Sequence, residues 1–353
     1  MKPLGQALSK HLSRLLAAGV AVFTFLGPAW ADSVHMEIGY SPTLATTPIM
    51  IIDREGWAKG EGLDLRLTRF DGGTAAVQGL VAGKIDVMYG GVGSVLVARA
   101  KGVDVSVVAS SAVNEMALLA QGELAVLSKG RRAAQAIDAF VAEKGRKIRI
   151  STQPPGSVPD TVLHYWLEKV AHIDPGKVET ISMGMEESQQ ALLAGAVDAA
   201  MIREPVITLF LENFPKASVL AWGGEMFPGQ PGTVIAVRGK FLREHPDAVA
   251  ALVRLHVRAA DMIAADSRRA AADALQYVGK GLIDPAVMER AIVSPSSKFV
   301  ADPHAIAQSV GLMQAFQKER GLVDAVLPPS AVFDYRFFDA ALSGTGLQQQ
   351  AER

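Results

Sequence analysis

Apolar and polar positions along this chain repeat at a fixed interval. Leu80-Val81-Ala82-Gly83-Lys84-Ile85-Asp86-Val87 returns as Leu192-Leu193-Ala194-Gly195-Ala196-Val197-Asp198-Ala199, an offset of 112 residues from Leu80 to Leu192. At that offset Ile38-Gly39-Tyr40-Ser41-Pro42 falls opposite Ile150-Ser151-Thr152-Gln153-Pro154. Two matches in one register predict two lobes of similar build. In each octet a run with helical spacing stops at a glycine and passes through an aspartate into an apolar strand. Each lobe therefore reads strand, helix, strand, helix, strand.

Taken in order, the pattern predicts strands over 34–40, 63–70, 85–89 and 103–110, with helices over 48–59, 75–82 and 94–100 between them. Thr47 suits an N-cap and Pro48 the first helical position. Residues 114–127 are apolar enough for one long strand, and 131–144 read as a basic helix with a solvated face. The second lobe follows with strands over 148–152, 178–183 and 197–202 and helices over 159–170 and 186–194. A Gly/Pro-rich passage, 222–232, leads to a strand over 233–237 and offers a route back to the first lobe. Beyond it the pattern is helical, over 246–265, 268–278, 285–292 and 303–320, the last capped by Asp302. Strands alternating with helices call for mostly parallel sheets covered on both faces.

The first residues form a separate pattern. Lys2, Lys10 and Arg14 precede an apolar run over 15–26, and Ala29-Trp30-Ala31 offers a small-x-small cleavage site. This reads as a secretory signal, too short for a membrane span, and places the mature start at Asp32. Its removal takes away three positive charges and changes the formal net charge from −1 to −4, which disfavours nucleic acid as a partner. The chain has no cysteine, so neither disulfides nor a lipid-modified cysteine is available. At 353 residues, 49 % of them hydrophobic, two domains with cores of their own are expected. A periplasmic protein, not lipid-anchored and monomeric, fits these features.

Hydrolytic and metal chemistry find little support. The seven histidines stand singly with no metal-ligand spacing. No nucleophile elbow occurs, and Gly79-Leu80-Val81-Ala82-Gly83-Lys84 departs from a phosphate-cradling loop by a missing residue and by Ile85 in place of Ser or Thr. What remains is a set of hydroxyls at helix starts that follow strands: Thr46, Thr47, Thr74, Ser94 and Ser157. In open α/β sheets ligands bind beyond the carboxyl ends of the strands, where helix starts offer unpaired N–H groups and partial positive charge. Capping alone would also explain each such residue. Arg203 and Glu204 follow the second copy's strand and face the same gap, or else form a salt bridge that ties the lobes together. Tyr40 and Gln153, ending the matched first strands, could supply a ring face and an amide. Trp222 could equally be core, and Gly72-Gly73 either admits a ligand to the backbone or makes a turn.

The order of Ile38-Gly39-Tyr40-Ser41-Pro42, Gly56-Trp57, Gly62-Leu63-Asp64-Leu65, Gly72-Gly73-Thr74 and Ala82-Gly83-Lys84-Ile85-Asp86 resembles the periplasmic solute-binding proteins of nitrate, sulfonate, taurine and bicarbonate ABC transporters. Pro155-Gly156-Ser157, the second octet and Glu204-Pro205 resemble that family's second lobe, so the resemblance covers roughly 34–237. It implies the α/β type II periplasmic-binding-protein fold: two doubly wound lobes joined by two crossover segments, with a helical C-terminal extension. The expected division is a signal peptide 1–31, a first lobe from 32–111 and 226–342, a second lobe 112–225, and a loose tail 343–353. Carried over by position, the ligand contacts are the loop after Tyr40 with Ser41, then Thr46, Thr47, Gly73, Thr74, Gly93, Ser94, the turn ending at Ser157, and Arg203 and Glu204; Tyr40 and Gln153, from the strand ends, complete twelve expected contacts. The resemblance further implies a small anionic ligand, such as a sulfonate, nitrate or taurine, delivered to an inner-membrane permease and its ATPase, with no cofactor or metal. A receptor for a neutral heterocycle, such as a thiamine-precursor pyrimidine or a flavin, and an enzyme of the same fold are the alternatives.

Overall fold

The computed structural model describes residues 33–279 and 282–345; the expected signal peptide and the tail beyond 345 lie outside the described residues. The first lobe opens with β1 (Val34–Tyr40), α1 (Thr47–Arg54), α2 (Trp57–Gly60), β2 (Leu63–Arg69), α3 (Gly73–Val81), β3 (Val87–Gly91), α4 (Val92–Ala100) and β4 (Val105–Ser110). The single helix expected over 48–59 is broken at Gly56, which adopts a left-handed φ of 67°. The chain then crosses through β5 (Ala112–Val113) to β6 (Ala117–Ala120), α5 (Gly122–Ser128), α6 (Ala133–Lys144), β7 (Ile148–Thr152), α7 (Val158–Tyr165), β8 (Val178–Ser182), α8 (Met185–Leu193), β9 (Ala199–Ile202), α9 (Val206–Asn213), β10 (Ser218–Trp222) and α10 (Gly223–Met226). The long strand expected over 114–127 is not formed. Its apolar run is a four-residue strand buried at every position, followed by a helix that buries Leu124 and Ala125; a run apolar on all sides carries no period that separates the two.

The return crossing leads to β11 (Thr233–Arg238), α11 (Gly239–Glu244), α12 (Pro246–Ala265), α13 (Ser267–Leu275), α14 (Pro285–Ile292), β12 (Lys298–Phe299), α15 (Ala307–Glu319), α16 (Pro329–Val332) and α17 (Arg336–Thr345). The last helix thus runs past 343, where the loose tail was expected to begin. The strand order is β2-β1-β3-β11-β4 in the first sheet and β8-β7-β9-β6-β10 in the second, with a small β12-β5 pair beside them. In each large sheet the fourth strand, β11 or β6, runs antiparallel to both neighbours. Each of these two strands is entered directly from a crossing segment.

The repeat has a physical meaning at its aspartate. Ile38 pairs with Val87 as Ile150 pairs with Ala199, each displaced by the same offset. Gly83 and Gly195 both take φ of +67°, ending their helices in a conformation that L side chains resist. Beyond them the Asp86 N–H donates to Glu37 O at 2.8 Å while the Glu37 N–H donates to Asp86 Oδ2 at 3.2 Å. Asp198 and Arg149 repeat this exchange at 2.9 and 2.8 Å. The carboxylate thus pairs an edge of the first strand that the third strand starts too late to reach. Each carboxylate also meets an arginine, Asp86 with Arg238 and Asp198 with Arg146. Burial works to raise the Asp198 carboxyl, and the Arg146 and Arg149 N–H bonds outweigh it and hold it below its ordinary value. Asp198→Ala is expected to lose about 2 kcal/mol of stability in denaturant unfolding, the cost of a charged hydrogen-bond acceptor to a partly buried N–H.

Candidate functional site

The carboxyl ends of the parallel strands in the two sheets meet at one junction, where loops and helix starts touch in pairs. The Leu44 N–H, just before α1, donates to Glu204 O, just before α9, at 3.1 Å. On the other side, α4 abuts the turn into α7: a β-carbon added at Gly93 would lie 2.8 Å from Gly156 O and 3.0 Å from Ser157 C and Val158 N. The offset of the repeat takes Leu44 to Gly156 and Gly93 to Pro205, the neighbour of Glu204, so the two contacts correspond to within one residue. Between them, a β-carbon at Gly72 would stand 2.8 Å from Gln153 Oε1, Asp71 Oδ1 accepts from the Glu186 N–H at 3.2 Å, and Arg69 pairs with Glu186. The buried Gln317 of α15 staples one side, its Nε2 donating to Gly93 O at 3.2 Å and to Gly156 O at 3.0 Å.

The helix starts of the two lobes differ in a way that bears on charge. At the starts of α7, α8 and α9 side chains accept from backbone N–H groups, two from the second lobe and one, Asp71, from the first. The Asp160 N–H of α7 donates to Ser157 Oγ at 3.3 Å and the Gly156 N–H to Asp160 Oδ2 at 3.1 Å. Asp71 serves α8, and Glu204 Oε2 accepts from the Thr208 N–H of α9 at 3.0 Å. The starts of α1, α3 and α4 have no side-chain cap. At α3 and α4, which lie side by side, Thr74 Oγ1 and Ser94 Oγ are 3.1 Å apart, and the β-carbon position of Gly73 is 3.2 Å from Gly91 N. Two uncapped helix starts with adjoining hydroxyls favour an anion.

The structure places the twelve expected contacts unequally. Gly73, Thr74, Gly93, Ser94, Gln153 and Ser157 gather where the lobes touch, although Ser157 is engaged as the cap of α7. Thr46 and Thr47 are fully buried, and their hydroxyls donate to backbone carbonyls of Ser41, Thr43 and Leu44 at 2.7 to 2.9 Å. They hold the β1–α1 loop, and their capping role is not the N-cap expected of Thr47. Ser41 is buried with no partner for its hydroxyl. Tyr40 lies in the first lobe's core, edge-on to Tyr277 at 6.3 Å. Burial pushes its phenol up. Glu204 is buried, bonded to Thr208, and burial raises its carboxyl against the Ser294 and Thr208 bonds. Arg203 pairs with Glu115 at 3.1 Å, the salt-bridge alternative realised with a residue of the crossing segment. Trp222 packs in the second lobe.

Three site residues went unread. Glu115 was legible as a charge directly before the uncharged run 116–122, a place that calls for a partner if it is buried. Asp71 could have been sought because it directly precedes Gly72-Gly73. Gln317 carries no local signal, since its partners lie 224 and 161 residues away. Among the described residues no cluster of three or more His, Asp or Glu is arranged to hold a metal, and no helix is long and apolar enough to cross a membrane.

Comparison with known proteins agrees with this architecture. A Brucella abortus (strain 2308) protein named only as a proposed binding protein is 27% identical over 250 residues, covering 70% of this chain and 72% of its own. The periplasmic nitrate-binding protein NrtA of Synechocystis PCC 6803 superposes with a TM-score of 0.75 at 14% identity, over 90% of this chain and 91% of that one. The alkanesulfonate-binding protein SsuA of Xanthomonas axonopodis pv. citri, solved with MOPS bound, gives 0.68 at 18% identity, over 86% and 99%. The fold is that of the type II periplasmic binding proteins. With residues 30–278 matching the family's model, the chain belongs to the NMT1-like family.

Proposed function

We propose that this protein is the solute-binding component of an ABC importer, a periplasmic monomer that closes two lobes over a small organic anion, sulfonate-like, or nitrate or taurine, and delivers it to a membrane permease and its ATPase. The observation that carries the anion is the asymmetry of the helix starts. Side chains, carboxylates among them, already accept from the starts of α7, α8 and α9, whereas the neighbouring starts of α3 and α4 lack caps and bring Thr74 and Ser94 together where the lobes meet. The lobes are taken as 32–111 with 226–342, and 112–225, because both crossings, through 111–116 and 227–232, are tied to each other by the Asn114 N–H to Gln230 O bond of 3.0 Å. The heterocycle alternative needs a ring face in the gap, and Tyr40 has its ring in the core instead. The Brucella abortus relative, NrtA and SsuA all carry the names of binding proteins, which supports capture rather than turnover.

Isothermal titration of the mature protein with methanesulfonate, taurine and nitrate tests the reading. Thr74→Ala and Ser94→Ala are each expected to weaken binding of the preferred anion by about fivefold to tenfold, the worth of one neutral hydrogen bond of about 1 kcal/mol. Unchanged affinity in both variants would remove these hydroxyls from the site.

A further inference from the structure

The Arg203–Glu115 pair differs from the solvated pairs of the surface. Arg203 follows β9 in the second lobe and is 5% exposed; Glu115 lies in the crossing segment and is 1% exposed. Glu115 is held from the return crossing and the start of β11: its Oε2 accepts from the Thr233 N–H at 2.9 Å, and its N–H donates to Gln230 Oε1 at 2.9 Å. Arg203 Nη2 stands 3.1 Å from Glu115 Oε1, while Arg203 Nε, also buried, has no partner. The guanidinium borders the start of α4, since a β-carbon at Gly91 would lie 3.8 Å from Arg203 Nη2. A buried cation with an idle donor therefore adjoins the helix start that carries Ser94.

Resting on the anion reading above, we propose that Arg203 is the charged anchor of the ligand and that Glu115 is a resident competitor, occupying the guanidinium until an incoming oxyanion takes it over. A guanidinium offers five donors and one carboxylate does not use them all. A second anion brought to this buried pair leaves an excess negative charge, which is costly in low dielectric unless Glu115 takes up a proton. Burial already pushes the Glu115 carboxyl up, opposed by Arg203 and by the Thr233 N–H. When the guanidinium turns to the ligand, that opposition weakens and Glu115 becomes the proton acceptor. Arg203 is the charged group that faces Glu115, and the Thr233 N–H and the Gln230 amide are its neutral neighbours. The ligand class follows from this exchange. A strong-acid oxyanion, such as a sulfonate, stays ionised while Glu115 protonates, whereas a carboxylate would compete for the same proton.

The test is isothermal titration of methanesulfonate and acetate into the wild type, Glu115→Gln and the double variant Glu115→Gln/Arg203→Gln between pH 5.5 and 8. Glu115→Gln keeps an acceptor for the Thr233 N–H and is expected to bind methanesulfonate about tenfold tighter at pH 8. Wild-type affinity is expected to rise as pH falls, and that of Glu115→Gln to stay flat. The double variant removes both charges and leaves neither one unpaired, so it is the comparison that survives if the single variant is unstable. It is expected to bind at least about tenfold more weakly than the wild type, and acetate more weakly than methanesulfonate throughout. Wild-type binding of methanesulfonate with no gain in Glu115→Gln, or none lost in the double variant, overturns this inference and leaves the anion reading standing. No binding of methanesulfonate, taurine or nitrate by the wild type overturns the anion reading itself.

Discussion

Gly93→Leu is expected to abolish ligand capture, with affinity for the preferred anion reduced more than about a hundredfold while the protein stays folded. The effect follows from what a side chain at this position would meet. The neighbours within 3.0 Å of its β-carbon, Gly156 O, Ser157 C and Val158 N, are all backbone atoms of the opposite lobe and cannot turn aside as a flexible side chain would. Position 93 lies inside α4 and is not among the residues of positive φ, so leucine suits the local backbone and the obstruction falls on closure alone. A hundredfold shift corresponds to about 3 kcal/mol against the closed form. Circular dichroism matching the wild type, together with a larger radius of gyration by small-angle scattering at saturating ligand, is the expected pair of results. Wild-type affinity in this variant would mean that the contact between α4 and the α7 turn is not needed for binding.

The second large effect concerns acid stability. His256 of α12 is fully buried, its Nε2 donating to Ser110 O at 2.8 Å and its Nδ1 lying 3.5 Å from the Tyr89 hydroxyl. Burial pushes it from 6.5 down to about 4, against the smaller opposing effect of the Ser110 carbonyl. The unfolded chain therefore binds a proton at this residue between pH 6.5 and 4 where the folded one does not. The stability that the neutral ring contributes is complete above pH 6.5 and is lost as pH falls toward 4, about 3 kcal/mol in all. Urea unfolding at pH 7 and pH 4.5 should show this loss in the wild type. In His256→Gln, which keeps a donor for the Ser110 carbonyl, the pH dependence should be shallower by most of that amount. Equal slopes in the two proteins would mean that the imidazole is protonated in the folded state.

Elements whose ends are marked by local chemistry were legible in the sequence. Strand 148–152 and helices 246–265 and 285–292 agree with the structure to the residue, each helix beginning at a proline in its first turn. The doubled octet was legible because two sheets with one strand order need the same glycine stop and the same aspartate bridge. The apolar run over 114–127 was not, because burial on all sides erases the alternation that distinguishes a strand from a helix. At the site, sequence position brought hydroxyls to the right rim but could not say what each one bonds. Thr46 and Thr74 look alike as residues before or within a helix start, yet one spends its proton on a carbonyl five residues back and the other meets a serine of the next helix. Gln317 depends on a contact that exists only once both lobes and α15 have come together.

The placement of β11 also governs the order in which the chain can be assembled. This strand lies between β3 and β4 in the first sheet and joins them, and it is translated after every strand of the second. A polypeptide emerging amino end first can complete the sheet built from 117–222 while the earlier half still lacks its fourth member. Birth order and maturation order are thus reversed, and the unpaired margins of β3 and β4 are the surfaces that a holding chaperone would have to shield in the interval.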